Sequence, residues 1–240
     1  MIKSLIRYWR IIALHGVLAI IPKLSIQSWS RVLIVAPHPD DEVLGCAGLI
    51  QRLLWEGKHV DVVILSGGGK SHAGCCQVKE SLLINSRRDL SRKAADLLEL
   101  PLKNLHFLNY PDGSISFDCS ETVQLKNLIE ELQPDTIFVP HKGEGWSDHV
   151  KTGSIVKELL PRMVSVYEYC VWLWYYNVWD LDWKNAKRLK MTAEEHLLKL
   201  RAINLYVTPL APCGKPWSGV LPRILLKANQ NKTELYFKVR

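Results

Sequence analysis

Four ionisable side chains lie within five positions, directly after an apolar run at residues 32–36. They are His38, Asp40, Asp41 and Glu42. Imidazole and carboxylate groups accept protons and bind metal ions, so this spacing concentrates base and ligand chemistry in one turn. The aliphatic run predicts a strand buried on both faces of a parallel sheet. Because open α/β sheets form their sites at the carboxyl ends of strands, we expect a functional site here.

The prolines on either side of His38 predict a stiff turn, and the residues after it predict a helix. The helical spacing is carried by Val43, Cys46, Ala47 and Ile50. A structural explanation exists for a single acid, in which Asp40 or Asp41 caps the helix and His38 is a polar turn residue. One cap needs one carboxylate, however. One acid is therefore surplus to structure, which favours a functional role.

The sequence Pro-His-Pro-Asp-Asp-Glu at residues 37–42, followed by an apolar helix with Gly45 and Gly48, resembles a known motif. It is similar to the PIG-L/LmbE-like zinc-dependent N-acetylglucosamine deacetylases, which carry Ala or Pro followed by His-Pro-Asp-Asp-Glu. This resemblance implies that His38 and Asp41 bind Zn²⁺ and that Asp40 is the catalytic base.

A second cluster follows the apolar run at residues 136–139, which predicts another strand of the sheet. A catalytic zinc site needs three protein donors and one open position for water. The resemblance places the third ligand on His149, the last residue of a family His-x-Asp-His sequence. Trp146 stands where the family has the first histidine, so another group must stabilise the oxyanion, and we assign this role to His141. Asp148 can orient a ligand imidazole, with His38 and His149 both open as its partner.

Besides His141 and Trp146, we assign two further residues to the substrate side of the pocket. Arg87 and Arg88 precede Asp89 in a predicted helix, where a solvated charge cluster is the ordinary explanation. Family members carry an arginine in this region that points to the active site, and we assign that role to Arg88. Asp112 is either a turn former or, as the resemblance implies, a residue near the pocket.

A glycine-rich stretch follows the next predicted strand, at residues 66–71. It does not match a phosphate-binding loop, because Ile64 occupies the position of the first glycine. We expect a permissive loop beside the site, where a sugar could approach backbone N–H groups. The dinucleotide-binding fingerprint is absent from the first strand-to-helix turn, which disfavours a nicotinamide enzyme.

Strands alternate with helices along the chain, which predicts an α/β fold of the Rossmann-like, doubly wound type with three layers and a mainly parallel sheet. We expect one deacetylase-like domain at residues 31–240 and a separate N-terminal segment at residues 1–30. Residues 209–223 contain four prolines and predict an extended loop. Residues 234–239 predict a terminal strand that adds an edge to the sheet.

The N-terminal segment combines a basic helical face, at Lys3, Arg7 and Arg10, with an uncharged stretch at residues 11–21. Eleven residues are too few for a helix that spans a bilayer, which needs about 20. Three interpretations remain: a basic amphipathic helix on the inner membrane leaflet, a helix packed on the domain, and a signal peptide. We favour the first, and expect a cytoplasmic protein with peripheral membrane contact through this segment.

The formal net charge of +7 favours anionic partners. Acidic lipid headgroups and phosphate-bearing substrates fit this charge, whereas the sequence contains no nucleic-acid-binding motif, so we expect no nucleic-acid partner.

The six cysteines show no Cys-x-x-Cys spacing and predict reduced thiols of a cytosolic protein. Cys75 and Cys76 could bind metal or form a redox pair, but adjacent cysteines without a second pair are more often incidental.

Four tryptophans fall within twelve residues: Trp172, Trp174, Trp179 and Trp183. Packing of a hydrophobic flap is the favoured explanation, and a wall that stacks on a sugar ring is the alternative.

The leading hypothesis is a zinc-dependent hydrolase that removes the acetyl group from an N-acetylglucosamine-type sugar. In that mechanism Zn²⁺ activates water, and Asp40 takes the proton of the water and returns it to the leaving amine. The net charge and the N-terminal segment suggest a phosphate-bearing or lipid-linked carrier, while a free glycoside or a small thiol precursor stays open. The alternatives are a non-catalytic sugar-binding module, favoured by Trp146, and a membrane-tethered interaction protein.

Overall fold

Seven strands form one sheet in the computed structural model, which describes residues 2–176 and 181–240 and the side chains of residues 5–176 and 181–240. The strands are β1 (Arg31–Ala36), β2 (His59–Ser66), β3 (Leu105–Tyr110), β4 (Thr136–Pro140), β5 (Ser165–Tyr169), β6 (Ala186–Lys190) and β7 (Thr233–Lys238). The helices are α1 (Ile2–Val17), α2 (Asp41–Trp55), α3 (Glu80–Leu97), α4 (Ser120–Leu132), α5 (Ser147–Leu159), α6 (Ala193–Val207) and α7 (Arg223–Asn229).

The sheet has the order β3-β2-β1-β4-β5-β7-β6, and its first five strands are parallel. The chain runs outward from β1 to β3 on one side and then returns to place β4 on the other side of β1. The strand order therefore reverses between β1 and β4. In doubly wound sheets the ligand crevice opens at this switch point, so the turns after β1 and β4 face a common site.

Both faces of β1 are covered, as its unbroken aliphatic composition predicts. Val32, Ile34 and Ala36 belong to the core cluster shared with α2, α3 and α6. Leu33 and Val35 belong to the cluster shared with α4 and α5 on the opposite face. The three-layer, mainly parallel α/β fold expected from the sequence is confirmed.

The last two strands of the sheet differ from expectation. The strand near the C-terminus was predicted at an edge, but β7 lies between β5 and β6 and is antiparallel to both. The edge strand β6 reads Ala-Lys-Arg-Leu-Lys, and such charges protect an open edge from pairing with another chain. Because charged residues dominate β6, it lacks the apolar alternation by which a strand is predicted from sequence.

The extended loop predicted at 209–223 is observed as far as residue 222, where the short helix α7 follows.

Helix α1 packs on the domain through Ile11 and Leu14, which join a third core cluster with Leu173 and Phe237. Arg7 and Arg10 face the domain rather than solvent. The Arg7 guanidinium lies 4.0 Å from the centre of the Tyr175 ring. The Arg10 side chain is buried and donates to the carbonyls of Leu173 and Trp174, at 2.6 and 2.7 Å.

The outward face of α1 exposes Leu5, Ile6, Trp9 and Ile12. The solvent-exposed face of α1 is therefore apolar. The sequence predicted instead that a basic face with Arg7 and Arg10 would lie toward the membrane. Within the described part of the chain, no helix is both long enough and apolar enough to cross a bilayer.

Candidate functional site

A cavity of about 500 Å³ opens at the carboxyl ends of β1 and β4. The turns after these strands line it, together with residues of the loops after β2 and β3, of the segment after β5 and of the 209–222 loop. His38, Asp40, Asp41 and His149 all line the cavity. The two clusters singled out in the sequence therefore meet at the switch point of the sheet.

Two imidazoles converge on one carboxylate oxygen. His38 Nδ1 lies 3.2 Å from Asp41 Oδ2, and His149 Nε2 lies 3.3 Å from the same atom. Tetrahedral zinc with ligand bonds of about 2.1 Å has donor atoms about 3.4 Å apart. The three side chains offer donor atoms within 4.8 Å of one another, and Asp41 and His149 are buried. This donor set fits a catalytic zinc site with one position left open for water.

His38 is held in place from the other side of its ring. Its Nε2 lies 3.1 Å from Asp148 Oδ2 and 3.2 Å from Asp112 Oδ1. Asp148 in turn accepts from the backbone N–H of Gly113, at 2.7 Å, and Asp112 from that of Lys70, at 2.7 Å. The two acids direct His38 Nδ1 toward Asp41. The partner of Asp148, which the sequence left open, is His38.

The atoms of His38, Asp112 and Asp148 form a second group with metal-ligand spacing. We regard these acids as supports for the imidazole, because backbone N–H groups already hold both of them. The set of two histidines and one aspartate also matches the preference of zinc for nitrogen ligands better than one histidine and two acids.

Glu144 is a buried acid that the sequence analysis missed. It accepts from the backbone N–H groups of Val171, Trp172 and Leu173, and its Oε2 lies 3.3 Å from His149 Nδ1. A carboxylate behind a ligand histidine orients the ring and raises its basicity. The sequence carries only a weak indication of this role, an acid five positions before His149 in a turn between two glycines.

Asp40 has a left-handed backbone, with φ of 118°. A residue other than glycine in this region is strained, and such strain concentrates at functional sites. The turn is fixed by Glu42, whose carboxylate accepts from the Asp40 N–H at 3.0 Å and from the Tyr206 hydroxyl. Asp40 occupies the N-cap position of α2, but its side chain makes no capping hydrogen bond. Its carboxylate faces the cavity instead.

Arg87, rather than Arg88, reaches the site. Arg87 is buried and lies 3.2 Å from Asp40 Oδ2, while it also donates to the carbonyls of Pro39 and Gly68, at 2.6 and 2.9 Å. Arg88 points away from the cavity and donates to the Leu108 carbonyl at 2.7 Å. The assignment to Arg88 was wrong by one position, and one position rotates a side chain by about 100° around a helix.

The electrostatics differ between the two neighbouring acids. Burial and the charge of Asp41 raise the pKa of Asp40 to about 7, against the opposing effect of Arg87. Burial also favours the protonated form of Asp41, but His149 and His38 outweigh it and lower the pKa of Asp41. One acid is thus ionised and paired with imidazoles, while the other titrates near neutral pH.

The two histidines respond in the opposite direction. Burial alone would lower the pKa of His149, but Asp41 and Glu144 raise it to about 9. The pKa of His38 is raised well above its ordinary value, because Asp112, Asp148 and Asp41 outweigh the effect of burial. Without a metal ion, the site therefore binds protons at the atoms that a cation would contact.

His141 does not reach the cavity, so its assignment to the substrate side is not supported by its position. Its backbone N–H continues the pairing of β4 with β5 by donating to the Tyr169 carbonyl at 2.8 Å. The ring is buried against Phe237, with 4.7 Å between ring centroids, and its Nδ1 accepts from the Gly143 N–H. The extension of the strand directs this side chain into the core.

The tryptophans divide between packing and the cavity. Trp146 and Trp172 line the cavity and meet edge to face, with 5.5 Å between ring centroids. Trp174 is buried under α1, and Trp183 packs near Phe237. Trp179 lies outside the described residues. An aromatic corner formed by Trp146 and Trp172 can contact the apolar face of a sugar ring.

A Rossmann-like α/β sheet thus presents, at its switch point, a donor set for a divalent cation beside a buried carboxylate that titrates near neutral pH. These features define an α/β protein with a candidate catalytic metal centre. The chain belongs to the PIG-L family, since residues 33–160 match the family described as "PIG-L: GlcNAc-PI de-N-acetylase". The family resemblance inferred from residues 37–42 is confirmed.

Curated relatives match the same region. The chain is 25% identical over 126 residues to the diacetylchitobiose deacetylase of Thermococcus kodakarensis. This alignment covers 51% of this chain and 46% of that protein. It is 30% identical over 139 residues to a probable N-acetyl-alpha-D-glucosaminyl L-malate deacetylase 2 of Bacillus anthracis, which covers 55% of this chain and 60% of that protein. The matched part of the chain thus spans about half the length of these relatives.

Solved structures share the fold. The N,N'-diacetylchitobiose deacetylase of Pyrococcus horikoshii aligns with a TM-score of 0.62 at 24% identity, covering 79% of this chain and 74% of that chain. The 4-carboxy-2-hydroxymuconate hydratase GalB of Pseudomonas putida aligns with a TM-score of 0.66 at 16% identity, covering 88% of this chain and 96% of that chain. Because a hydratase has the same fold, the reaction must be argued from the site.

Proposed function

We propose that this protein is a zinc-dependent hydrolase that removes the acetyl group from an N-acetylglucosamine-type sugar. The observation that carries the proposal is the convergence of His38 Nδ1 and His149 Nε2 on Asp41 Oδ2, within the cavity that Asp40 also lines. Membership of the PIG-L family and the names of the two curated deacetylase relatives support the choice of substrate class.

In this proposal His38, Asp41 and His149 hold Zn²⁺. When bound, the metal lowers the pKa of water toward about 7 and polarises the amide carbonyl. Asp40 accepts the proton of the attacking water and returns it to the nitrogen of the leaving amine. A pKa of about 7 suits both steps, because a base works best when its pKa lies near the working pH. Arg87 holds the carboxylate in place at 3.2 Å.

The chemical test measures acetate release from a panel of N-acetyl sugars, with metal-stripped and with zinc-restored protein. We expect release only after zinc is restored. Asp40→Asn should retain zinc and lose turnover by roughly 100- to 10,000-fold, the usual contribution of a general base. Asp118→Asn, at an exposed acid outside the cavity, is the matched control.

Full activity of Asp40→Asn would remove Asp40 as the base. Sugar binding without acetate release by the zinc-restored protein would favour the alternative of a non-catalytic binding module, in which Trp146 contributes to sugar contact.

For the carrier of the sugar, we propose a phosphate-bearing or lipid-linked molecule presented at a membrane surface. Helix α1 exposes Leu5, Ile6, Trp9 and Ile12, and tryptophan is favoured at membrane interfaces. The net charge of +7 favours an anionic surface. The inner face of α1 contacts residues 173–175, adjacent to Trp172 in the cavity wall, so a membrane-bound substrate would lie near the site.

Co-sedimentation with vesicles tests this membrane contact. We expect the protein to sediment with anionic phospholipid vesicles and less with neutral ones. The double variant Leu5→Ser with Trp9→Ser should lose sedimentation, while Leu102→Ser, at an exposed leucine elsewhere, should keep it. Equal sedimentation of the double variant and the control would exclude α1 as the contact surface.

A further inference from the structure

Four side chains of the types that bind metal ions form a further cluster, outside the cavity. They are His72, Cys75, Cys76 and Cys213, and their donor atoms all lie within 4.8 Å of one another. His72 Nδ1 lies 3.3 Å from Cys76 Sγ and 3.3 Å from Cys213 Sγ, and the sulfurs of Cys75 and Cys76 are 3.5 Å apart. The chain brings Cys213 to this place from 141 positions beyond His72.

The other ring nitrogen of His72 selects the tautomer of the neutral ring. Nε2 lies 2.8 Å from the Pro216 carbonyl oxygen, which can only accept a hydrogen bond. In the neutral ring Nε2 therefore carries the hydrogen, and Nδ1 presents a lone pair toward the sulfurs. The side chain is 3% exposed, which fixes this orientation. A backbone carbonyl behind the far nitrogen is the usual support of a metal-ligating histidine.

The donors and their spacing match structural zinc. Three thiolates and one imidazole form a closed tetrahedral set, with Zn–S bonds of about 2.3 Å and Zn–N bonds of about 2.0–2.1 Å. Such bonds separate the donor atoms by about 3.5–3.8 Å. The separations of 3.3 Å from His72 Nδ1 to Cys76 Sγ and to Cys213 Sγ, and of 3.5 Å between the sulfurs of Cys75 and Cys76, are slightly shorter, and all the donor atoms lie within 4.8 Å of one another. Because no coordination position is left for water, this set suits a structural role rather than a catalytic one.

The cluster joins two loops that also form the cavity wall. The loop after β2 contributes His72, Cys75 and Cys76 to the cluster and Ser71 to the cavity. The 209–222 loop contributes Cys213 to the cluster and Gly219 to the cavity. Ser71 Oγ donates to the Trp217 carbonyl at 3.2 Å, and a Cβ on Gly219 would lie 2.8 Å from the Ser71 carbonyl oxygen. The loops are thus in backbone contact.

We propose that His72, Cys75, Cys76 and Cys213 bind a structural zinc ion, distinct from the one proposed at His38, Asp41 and His149. The ion clips the loop after β2 to the 209–222 loop and holds one wall of the cavity in place. This inference does not depend on the deacetylase reaction, since it concerns metal binding alone.

Metal content of the full-length protein, purified under reducing conditions, provides the first test. We expect two zinc equivalents per chain, one in Cys213→Ser, one in His149→Ala and none in the double variant. Cys119→Ser removes a half-buried cysteine elsewhere and should retain both equivalents. If Cys213→Ser holds as much zinc as Cys119→Ser, the inference is wrong. A failed acetate assay would leave this result unchanged and would count only against the proposed function.

Cobalt substitution identifies the ligands of the bound metal. Co²⁺ added to the metal-stripped His149→Ala variant should give the sulfur-to-cobalt charge-transfer absorption and the strong visible bands of a tetrahedral site. Both should be absent when Cys213→Ser is added. A spectrum without a sulfur band would overturn the assignment.

A measurement on the unaltered chain covers the case in which Cys213→Ser does not fold. Alkylation followed by mass spectrometry should find three more reactive thiols after zinc is removed by a chelator than before. The same number of reactive thiols in both samples would contradict zinc ligation. A mass lower by two hydrogens, with a disulfide located within the cluster, would overturn the zinc assignment and identify these cysteines as a redox pair.

Discussion

At the scale of single residues, the site depends on imidazoles whose two nitrogens have different partners. His38 presents Nδ1 to Asp41 and Nε2 to Asp112 and Asp148, and His149 presents Nε2 to Asp41 and Nδ1 to Glu144. Asp148 and Asp112 orient the ring of His38, and the Glu144 carboxylate lies within ion-pair distance of His149 Nδ1, where it favours a positive charge on the ring. We therefore expect the metal affinity of the candidate centre to depend on Glu144 and Asp148 as well as on the three donors.

Glu144→Gln should weaken zinc binding at the cavity by roughly 10- to 100-fold, the usual effect of removing a carboxylate behind a ligand histidine. The amide keeps the size of the side chain, but its NH2 group donates rather than accepts, so at least one of the hydrogen bonds from the N–H groups of residues 171–173 is lost. Competition with a fluorescent chelator measures the affinity. Glu121→Gln, at a half-exposed acid in α4, is the control. Unchanged affinity would show that Glu144 serves the fold alone.

Zinc binding at the cavity should tighten as pH rises from 6.5 toward 9. The pKa of His149 is raised from 6.5 to about 9, so at neutral pH the metal must displace a proton from this ring. Above the raised pKa the ring is already neutral, and the affinity should level off. Calorimetric titration in buffers with different protonation enthalpies should count at least one proton released at pH 7. An affinity that does not change with pH over this interval would contradict the pairing of His149 with Asp41.

At the scale of elements, the turns at the ends of strands control what faces the cavity. Helix α5 begins at Ser147, so His149 stands in its first turn. Gly68 has φ of +64°, and a Cβ there would lie 1.9 Å from Arg87 Nη1. The glycine-rich loop after β2 thus makes room for the arginine that holds Asp40.

Gly68→Ala should displace Arg87 and lower acetate release by about 100-fold, the effect expected when a side chain of the site moves by about 1 Å. Gly57→Ala is the matched control, because its φ of +70° gives the same backbone strain and no atom lies within 4 Å of the added Cβ. The control should lose about 1 kcal/mol of unfolding free energy and keep its activity. Equal activity of the two variants would mean that Arg87 does not depend on Gly68.

At the scale of the whole molecule, a buried ion pair connects three elements beneath the site. Lys199 of α6 lies 2.7 Å from Glu234 of β7 and donates to the Leu44 carbonyl of α2 at 2.9 Å. Glu234 also accepts from the backbone N–H groups of Gly48 and Leu49, at 2.9 and 3.0 Å. These contacts anchor helix α2, which begins with Asp41, to α6 and to β7, three strands away from β1 in the sheet.

Lys199→Met should lower the free energy of unfolding by about 3–5 kcal/mol, because it leaves the Glu234 carboxylate buried without its cation. Urea denaturation followed by circular dichroism measures the change. Lys190→Met, at the exposed end of β6, should change the unfolding free energy by about 0.5 kcal/mol or less. A loss below about 1 kcal/mol for Lys199→Met would show that the backbone N–H groups and the Tyr236 hydroxyl, which donates to Glu234 at 2.6 Å, satisfy the carboxylate without the cation.

The sequence by itself determined the family, the doubly wound sheet and the turn that carries His38, Asp40 and Asp41. These features are local: aliphatic runs define buried strands, prolines end them, and the ionisable residues follow within five positions. Residues at the ends of strands could therefore be expected at one edge of the sheet before any coordinates were known.

Only the tertiary structure decided which residues support that turn. The orientation of α3 on the sheet decides that Arg87 and not Arg88 faces the cavity. Asp148 contacts His38 although the two residues are 110 positions apart in the sequence. Glu144 was recognised only through N–H groups that follow a different strand, and Cys213 only through its contact with His72. Such pairings depend on how distant segments pack, and packing across the sheet leaves no periodic pattern in the chain.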